Sequence, residues 1–245
     1  VGVVLSTYYM GIYRTSINTV GQITTLITSA TTPILFSALS RLQDNPEEFK
    51  KIFFRFQKLV GILVIPLGVG IFLFSDLITA ILLGDQWSEA SNFIGWWGLT
   101  SAITIVLAHY CSEVYRAKGK PKLSVLAQFL HMGFLIPTVL VFVHNDFPTL
   151  CIARSVVRLT AIFINLAILY YLVRISPWAM LRNILPPVIA ASGMIALMSC
   201  LPQTESILII LRNVIFCSII YLLILMAFPK ERAILFCLKS QFTQC

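Results

Sequence analysis

The chain has 245 residues, of which 58% are hydrophobic and only 11% charged; this composition excludes a soluble globular domain and reads as a polytopic membrane protein. Its formal charge of +8 does not point to nucleic acid, because the basic residues lie in short clusters between apolar runs, as inward loops do. The expected fold class is all-α: a membrane helical bundle occupying 1–245, with about seven transmembrane helices behind a short helix remnant at 1–7.

The opening apolar run breaks at Ser6 with no basic leader region or cleavage site, so no signal peptide is expected and the chain reads as starting inside a helix. The first span, 11–38, is free of acids yet rich in polar side chains. Thr15, Asn18, Gln22, Thr25, Ser29 and Thr32 recur at intervals of three and four, forming one polar stripe headed by Arg14. Val20, Ile23, Ile27, Ala30 and Ile34 form an opposite apolar stripe. Six hydrogen-bonding side chains in a row do not suit lipid. Two readings stand: a helix–helix seam built on small hydroxyl residues, or the wall of a water-filled translocation cavity.

Residues 40–58 form a cytoplasmic amphipathic segment. Asn45 is placed to cap, Pro46 fits a first turn, and Glu47 and Glu48 oppose the helix dipole. Phe49, Phe53, Phe56 and Val60 share a face beside Lys50, Lys51, Arg55 and Lys58, which suits either a helix lying on anionic membrane lipid or a solvated connector. Further spans are expected at 59–83, ended by Gly84-Asp85-Gln86-Trp87, and at 91–114, 123–143, 148–173, 186–200 and 207–228. A short turn with His144-Asn145-Asp146 and a cytoplasmic tail at 229–245 complete the chain. The six cysteines, Cys111, Cys151, Cys200, Cys217, Cys237 and Cys245, are scattered singly and read as apolar fillers. Of these, Cys151 and Cys200 fall near the outward side, where a disulfide is chemically open to them.

Alternate loops sort the 18 Lys and Arg residues cleanly. One side takes Arg41, Lys50, Lys51, Arg55, Lys58, Arg116, Lys118, Lys120, Lys122, Arg174, Arg182, Lys230, Arg232 and Lys239; this is the cytoplasmic side, with the C-terminus. The other side holds Asp85, Glu89, Asp146 and Glu205. Four arginines, Arg14, Arg154, Arg158 and Arg212, fall inside spans, where the loop bias would not put them.

Arg154 and Arg158 stack on one face of the fifth span, and Asn165 continues that face. A central arginine costs about 2.5–3.5 kcal/mol on the insertion scale, and each Leu, Ile, Phe or Val returns about 0.3–0.6. The helix therefore inserts, but its guanidinium groups must point at protein, water or an anion. Acids are scarce in the spans, so an anionic ligand is the favoured partner, with carbonyl pairing or snorkelling as alternatives. Arg212 is shallow in its span and suits either snorkelling or a cavity. His109 with Glu113, and Gln128 with His131, are pairs that could couple protons; the simpler reading is a Glu113–Arg116 pair and hydrogen-bonded histidines. No catalytic motif, metal-ligand spacing or cofactor fingerprint is present, so a non-enzyme without metal or cofactor is expected.

The stretches PILFSALSRLQDNPEEFKKIF (33–53), PLGVGIFLFSDLITAILLGDQW (66–87) and YRAKGKPKL (115–123) resemble those of bacterial Wzx-type polysaccharide flippases, in the multidrug/oligosaccharidyl-lipid/polysaccharide exporter superfamily. MGIYRTS (10–16) is similar to the turn into the eighth helix of such proteins. The resemblance implies one of two bundles of an alternating-access transporter in the bacterial inner membrane. It implies a lipid-linked oligosaccharide, an undecaprenyl-pyrophosphate sugar repeat, as substrate. A first, N-terminal bundle absent from this chain becomes a partner, as do membrane lipids and the polysaccharide polymerase and export machinery. Arg14, Asn18, Gln22, Thr25, Arg154, Arg158, Asn165 and Arg212 are then the candidate cavity residues, and His109, Glu113 and His131 the candidate coupling residues. A cation-coupled drug exporter of the same superfamily would want acids in its cavity; an inactive fragment is the other alternative.

Overall fold

The computed structural model describes residues 6–143, 146–201, 207–229 and 231–232. The expectations for the first residues of the remnant, His144, Asn145, Glu205, Lys230, Lys239, Cys237 and Cys245 lie outside the described residues. The described chain is helical, with seven helical stretches long and apolar enough to cross a membrane. They are α1 (Thr7–Ser40), α2 (Pro46–Leu73), a broken third stretch, α6 (Lys122–Phe142), a broken fifth stretch, α9 (Pro177–Cys200) and α10 (Ile207–Met226). The third consists of a 3-10 turn (Asp85–Ala90), α4 (Ser91–Thr104), a π-helical turn (Ile105–His109) and α5 (Cys111–Ala117). The fifth consists of α7 (Phe147–Val157) and α8 (Thr160–Val173), and a short α3 (Ser75–Leu82) follows α2.

Local chemistry sets the helix ends. Ser6 caps α1 by accepting from the Tyr9 amide, and Asn45 caps α2 by accepting from the Glu48 amide at 3.3 Å, with Pro46 in its first turn. The amphipathic segment is not a separate element: from Pro46 it is the first half of α2, continuous with the second span. Its phenylalanine face is correspondingly not free for lipid. Phe49 and Phe53 are buried, and the Lys118 ammonium lies 4.5 Å from the Phe49 ring. α5 ends where Gly119 takes a positive φ of 69°, letting the Lys120 amide reach back to the Tyr115 carbonyl at 2.8 Å.

The chain divides into two compact units, residues 1–182 and 183–245. In the first, α4 is the hub, packed by α1, α2, α3 and α7. Small residues permit this close approach: a Cβ on Gly68 would stand 2.2 Å from the Ala102 Cβ, and one on Gly98 2.3 Å from Ile71 Cγ2. α6 lies at the periphery, with large apolar side chains such as Phe129, Phe134 and Leu140 exposed for lipid. In the second unit, Gly193 of α9 lies against Ile224 of α10, and Cys217, Tyr221 and Leu225 are buried. Among the described residues the Cys111, Cys151, Cys200 and Cys217 thiols are free.

The two broken stretches keep their freed backbone groups satisfied, as a membrane interior requires. At the π-helical turn, buried Gln57 of α2 donates to the Val106 carbonyl at 3.4 Å, and the Tyr110 hydroxyl shares a 2.7 Å hydrogen bond with Thr31 of α1. At the α7–α8 break, Thr160 Oγ1 donates to the Val157 carbonyl at 2.7 Å while the Leu159 amide reaches the Val156 carbonyl.

Candidate functional site

α4 presents Phe93, Trp97 and Ser101 four residues apart, hence on one face, and Arg154 of α7 and Arg158, the residue that caps its C-terminal end, follow at the same spacing. The two ladders pack together. Both guanidinium groups lie over the Trp97 ring, Arg154 at 5.0 Å and Arg158 at 4.4 Å from its centroid. Such cation–π contacts are worth about 2 kcal/mol when desolvated, and Trp97 is 6% exposed. Arg154 Nε donates to the Tyr13 hydroxyl of α1 at 3.1 Å, and Arg158 donates to Ser101 Oγ at 2.6 Å. Tyr13 stacks on Phe93, ring centroids 5.4 Å apart, and Phe93 meets Trp97 at 5.6 Å. An aromatic floor therefore holds two cations side by side.

Among the described residues no carboxylate pairs with Arg154 or Arg158, whereas Lys50–Glu47, Lys51–Glu48 and Arg116–Glu113 form ion pairs, each within a single helix. Each guanidinium carries five N–H donors in a fixed fork, and one neutral hydroxyl apiece leaves most of them uncommitted. Arg158 also occupies the break between α7 and α8. Interrupted helices that bring polar groups together near the bilayer midplane are the usual construction of transporter sites.

The polar stripe of α1 points away from this packing. Arg14, Asn18, Gln22, Thr25 and Ser29 are exposed, whereas Ile12, Ser16, Thr19, Val20, Leu35 and Leu39 are the buried positions. The apolar stripe read from the sequence is thus only partly the packing face, since Ala30 and Ile34 are exposed. Hydroxyls on this helix serve themselves: Thr24, Thr28 and Thr31 donate to carbonyls four residues back. The carboxamides of Asn18 and Gln22 have more donors and acceptors than one back-bond can satisfy. They are the stripe members that call for a polar neighbour.

The remaining sequence candidates fall elsewhere. Asn165 accepts from the Tyr115 hydroxyl at both its backbone and side-chain oxygens, 3.1 Å each, and so ties α8 to α5. Glu113 is buried and pairs with Arg116 at 2.9 Å, and the Arg116 guanidinium lies 4.5 Å from the Phe36 ring. His109 sits edge-on to Tyr110, and His131 shares a 3.0 Å hydrogen bond with Thr160, beside the α7–α8 break. Arg212 belongs to the second unit, where it donates to Asn213 Oδ1 at 3.1 Å. Tyr13, Phe93, Trp97 and Ser101 were not singled out from the sequence. The signal for them is the fourfold spacing of Phe93, Trp97 and Ser101, matching that of the arginines. Among the described residues no group of histidine, cysteine or acidic side chains is arranged to hold a metal.

Comparison with known proteins places these features in context. Residues 1–92 match the family described as "Polysaccharide biosynthesis protein". A relative from Klebsiella pneumoniae, described as an uncharacterized membrane protein in the cps region, is 26% identical over 136 residues. That match covers 56% of this chain and 28% of the relative, so the chain spans much less than the relative's full length. No solved structure matches the chain significantly. The chain is thus similar, over its N-terminal part, to a polysaccharide-biosynthesis family and, over about half its length, to a membrane protein of a cps region. The family match takes in α1 through the Asp85–Ala90 turn and stops before Trp97, Arg154 and Arg158.

Proposed function

We propose that the protein moves a lipid-linked oligosaccharide across the bacterial inner membrane by alternating access, and that Arg154 and Arg158 bind the substrate's pyrophosphate. The supporting observation is the pair of guanidinium groups held on Trp97 without a carboxylate partner among the described residues. A pyrophosphate offers oxygens that accept from two neighbouring forks at once, the geometry for which arginine is suited. Two uncompensated cations inside a span also need an anion more than a neutral ligand does. The exposed Asn18, Gln22 and Thr25 form a wall for sugar hydroxyls, facing a second bundle supplied by the rest of the full-length protein. Such a protein acts as a transporter rather than an enzyme.

Reconstitution tests this reading. Full-length protein in liposomes is expected to carry a fluorescent polyprenyl-pyrophosphate oligosaccharide between leaflets, read by an external quencher. Translocation no faster than in empty liposomes overturns it. The orientation has its own check, because the basic loop around Gly119 belongs in the cytoplasm with the C-terminus. Lys120 is exposed, and a Lys120→Cys variant in a cysteine-free background is expected to react with an impermeant maleimide only after the cells are opened. Labelling in intact spheroplasts would invert the topology.

A further inference from the structure

At the end of the first unit that carries the α1 N-terminus, α1, α4 and α7 enclose a cavity of about 360 Å³. The volume falls within the roughly 300–1,000 Å³ range of small-molecule sites. Tyr9, Phe93, Trp96 and Phe147 form its walls, with Tyr9 and Phe147 stacked at 4.8 Å, and Glu89 and Asn92 stand exposed at its rim. We infer that this cavity is a carbohydrate subsite, taking a neutral sugar ring of the same substrate whose pyrophosphate meets Arg154 and Arg158; the inference rests on the transport reading above.

Three observations favour a sugar over an acyl chain. The first is chemical pairing: a sugar ring has an apolar C–H face that lies on aromatic rings and a rim of hydroxyls. Here the hydroxyls would meet a carboxylate acceptor and a carboxamide that both donates and accepts. An acyl chain would leave Glu89 and Asn92 without use and would gain nothing from a polar rim. The second is continuity. Phe93 is shared between the cavity and the Tyr13–Phe93–Trp97 floor, so the cavity opens from the same aromatic surface that carries the arginines. The third is reach: Cys151 lines the cavity on α7, one turn from Arg154 and two from Arg158, a rise of roughly 5 to 10 Å along the helix. That distance suits a ring attached directly to a phosphate group. By the distribution of basic residues this end faces outward, the side on which a glycan would be released.

The test is protection of a thiol at the rim. In the full-length protein, with native cysteines replaced, an Asn92→Cys variant is treated with N-ethylmaleimide. The probe is a soluble oligosaccharide cut from the host's own polysaccharide repeat, with neither lipid nor pyrophosphate. Expected is an at least fivefold slower alkylation at Asn92→Cys, abolished by adding Trp96→Ala, with no change at a Lys120→Cys control. Unaltered alkylation, protection that survives Trp96→Ala, or protection by undecaprenyl phosphate but not by the oligosaccharide each overturns the inference, the last by making the cavity a lipid groove. Should the cysteine-free protein misfold, Asn92→Cys is placed in the protein with its native cysteines, and alkylation at position 92, which is exposed, is followed by peptide mass spectrometry under the same criteria. The transport reading is judged separately by the liposome assay. Normal translocation without protection removes the subsite alone, whereas protection without translocation removes the transport reading and leaves a glycan-binding pocket.

Discussion

Replacing Arg158 with alanine is expected to abolish glycan export while the protein stays in the membrane at its normal level. The side chain donates to Ser101 at 2.6 Å and lies 4.4 Å from the Trp97 centroid, so it is held in place before any ligand arrives. A preorganised cation loses little freedom on binding, which makes its contact with an anion worth more than that of a mobile surface charge. One charge-assisted hydrogen bond contributes about 1.5–3 kcal/mol, or roughly ten- to hundredfold in affinity. Two bonds from one fork to a pyrophosphate would put the loss beyond that range. Arg158→Lys is expected to fall between wild type and Arg158→Ala, because an ammonium keeps the charge but loses both the flat contact with Trp97 and the bidentate fork. Surface polysaccharide measured against membrane-protein level by immunoblot separates loss of transport from loss of protein. Wild-type export by Arg158→Ala would sink the anion-site reading.

Arg154 and Arg158 show how far a sequence reaches into such a site and where it stops. Their fourfold spacing on an acid-free span already placed them on one face and required a polar or anionic neighbour. What they rest on could not be read the same way. Trp97 lies in a stretch of α4 that is apolar on most sides, and nothing local separates a tryptophan filling the core from one carrying two cations. That distinction depends on which helix lies across from it. The same limit explains the first span. Its polar stripe was evident from the spacing of Asn18, Gln22 and Thr25, and these side chains are exposed. The packing face, however, runs through Ile12, Ser16, Thr19 and Val20, where a serine and a threonine are buried as small residues that let another helix approach. Hydroxyl residues thus occur on both faces, and only the larger amides mark the open one.

Helix breaks were legible where the chain announces them and hidden where packing makes them. Asn45-Pro46 announces the start of α2, and Gly84 and Gly119 announce turns by requiring positive φ. The π-helical turn at Ile105–His109 and the break at Arg158 have no proline or glycine to mark them. Both are held by side chains arriving from elsewhere or from the next turn, Gln57 and Tyr110 at the first and Thr160 at the second. Gln57, between Arg55 and Lys58 in the amphipathic half of α2, gave no local sign of the first, because its burial follows from packing. Its amide goes to a carbonyl that an unbroken α-helix would have satisfied itself.

The seam between α2 and α4 carries the largest expected effect on stability, and with it the placement of Trp97 and Ser101. A Cβ on Gly68 would come within 2.2 Å of the Ala102 Cβ and 3.3 Å of the Gly98 carbonyl, distances that no rotamer change relieves because both atoms are fixed to the backbone. Gly68→Ala must therefore push the helices apart, at an expected cost of about 1–3 kcal/mol, or more if the whole seam shifts. The strain should be relieved by taking the opposing methyl away. Ala102→Gly alone costs up to about 1 kcal/mol through helix propensity, yet added to Gly68→Ala it is expected to raise the unfolding midpoint rather than lower it further. Thermal unfolding of the four proteins of this cycle in detergent, followed by size-exclusion chromatography, measures the coupling. Additive losses, or a Gly68→Ala protein as stable as wild type, would mean that the two helices do not meet at these residues. Ala102 lies one residue beyond Ser101 and five beyond Trp97, so displacing α4 also carries the Arg158 contacts with it. Gly68→Ala is accordingly expected to lower export by more than its loss of folded protein, and Ala102→Gly to restore both together.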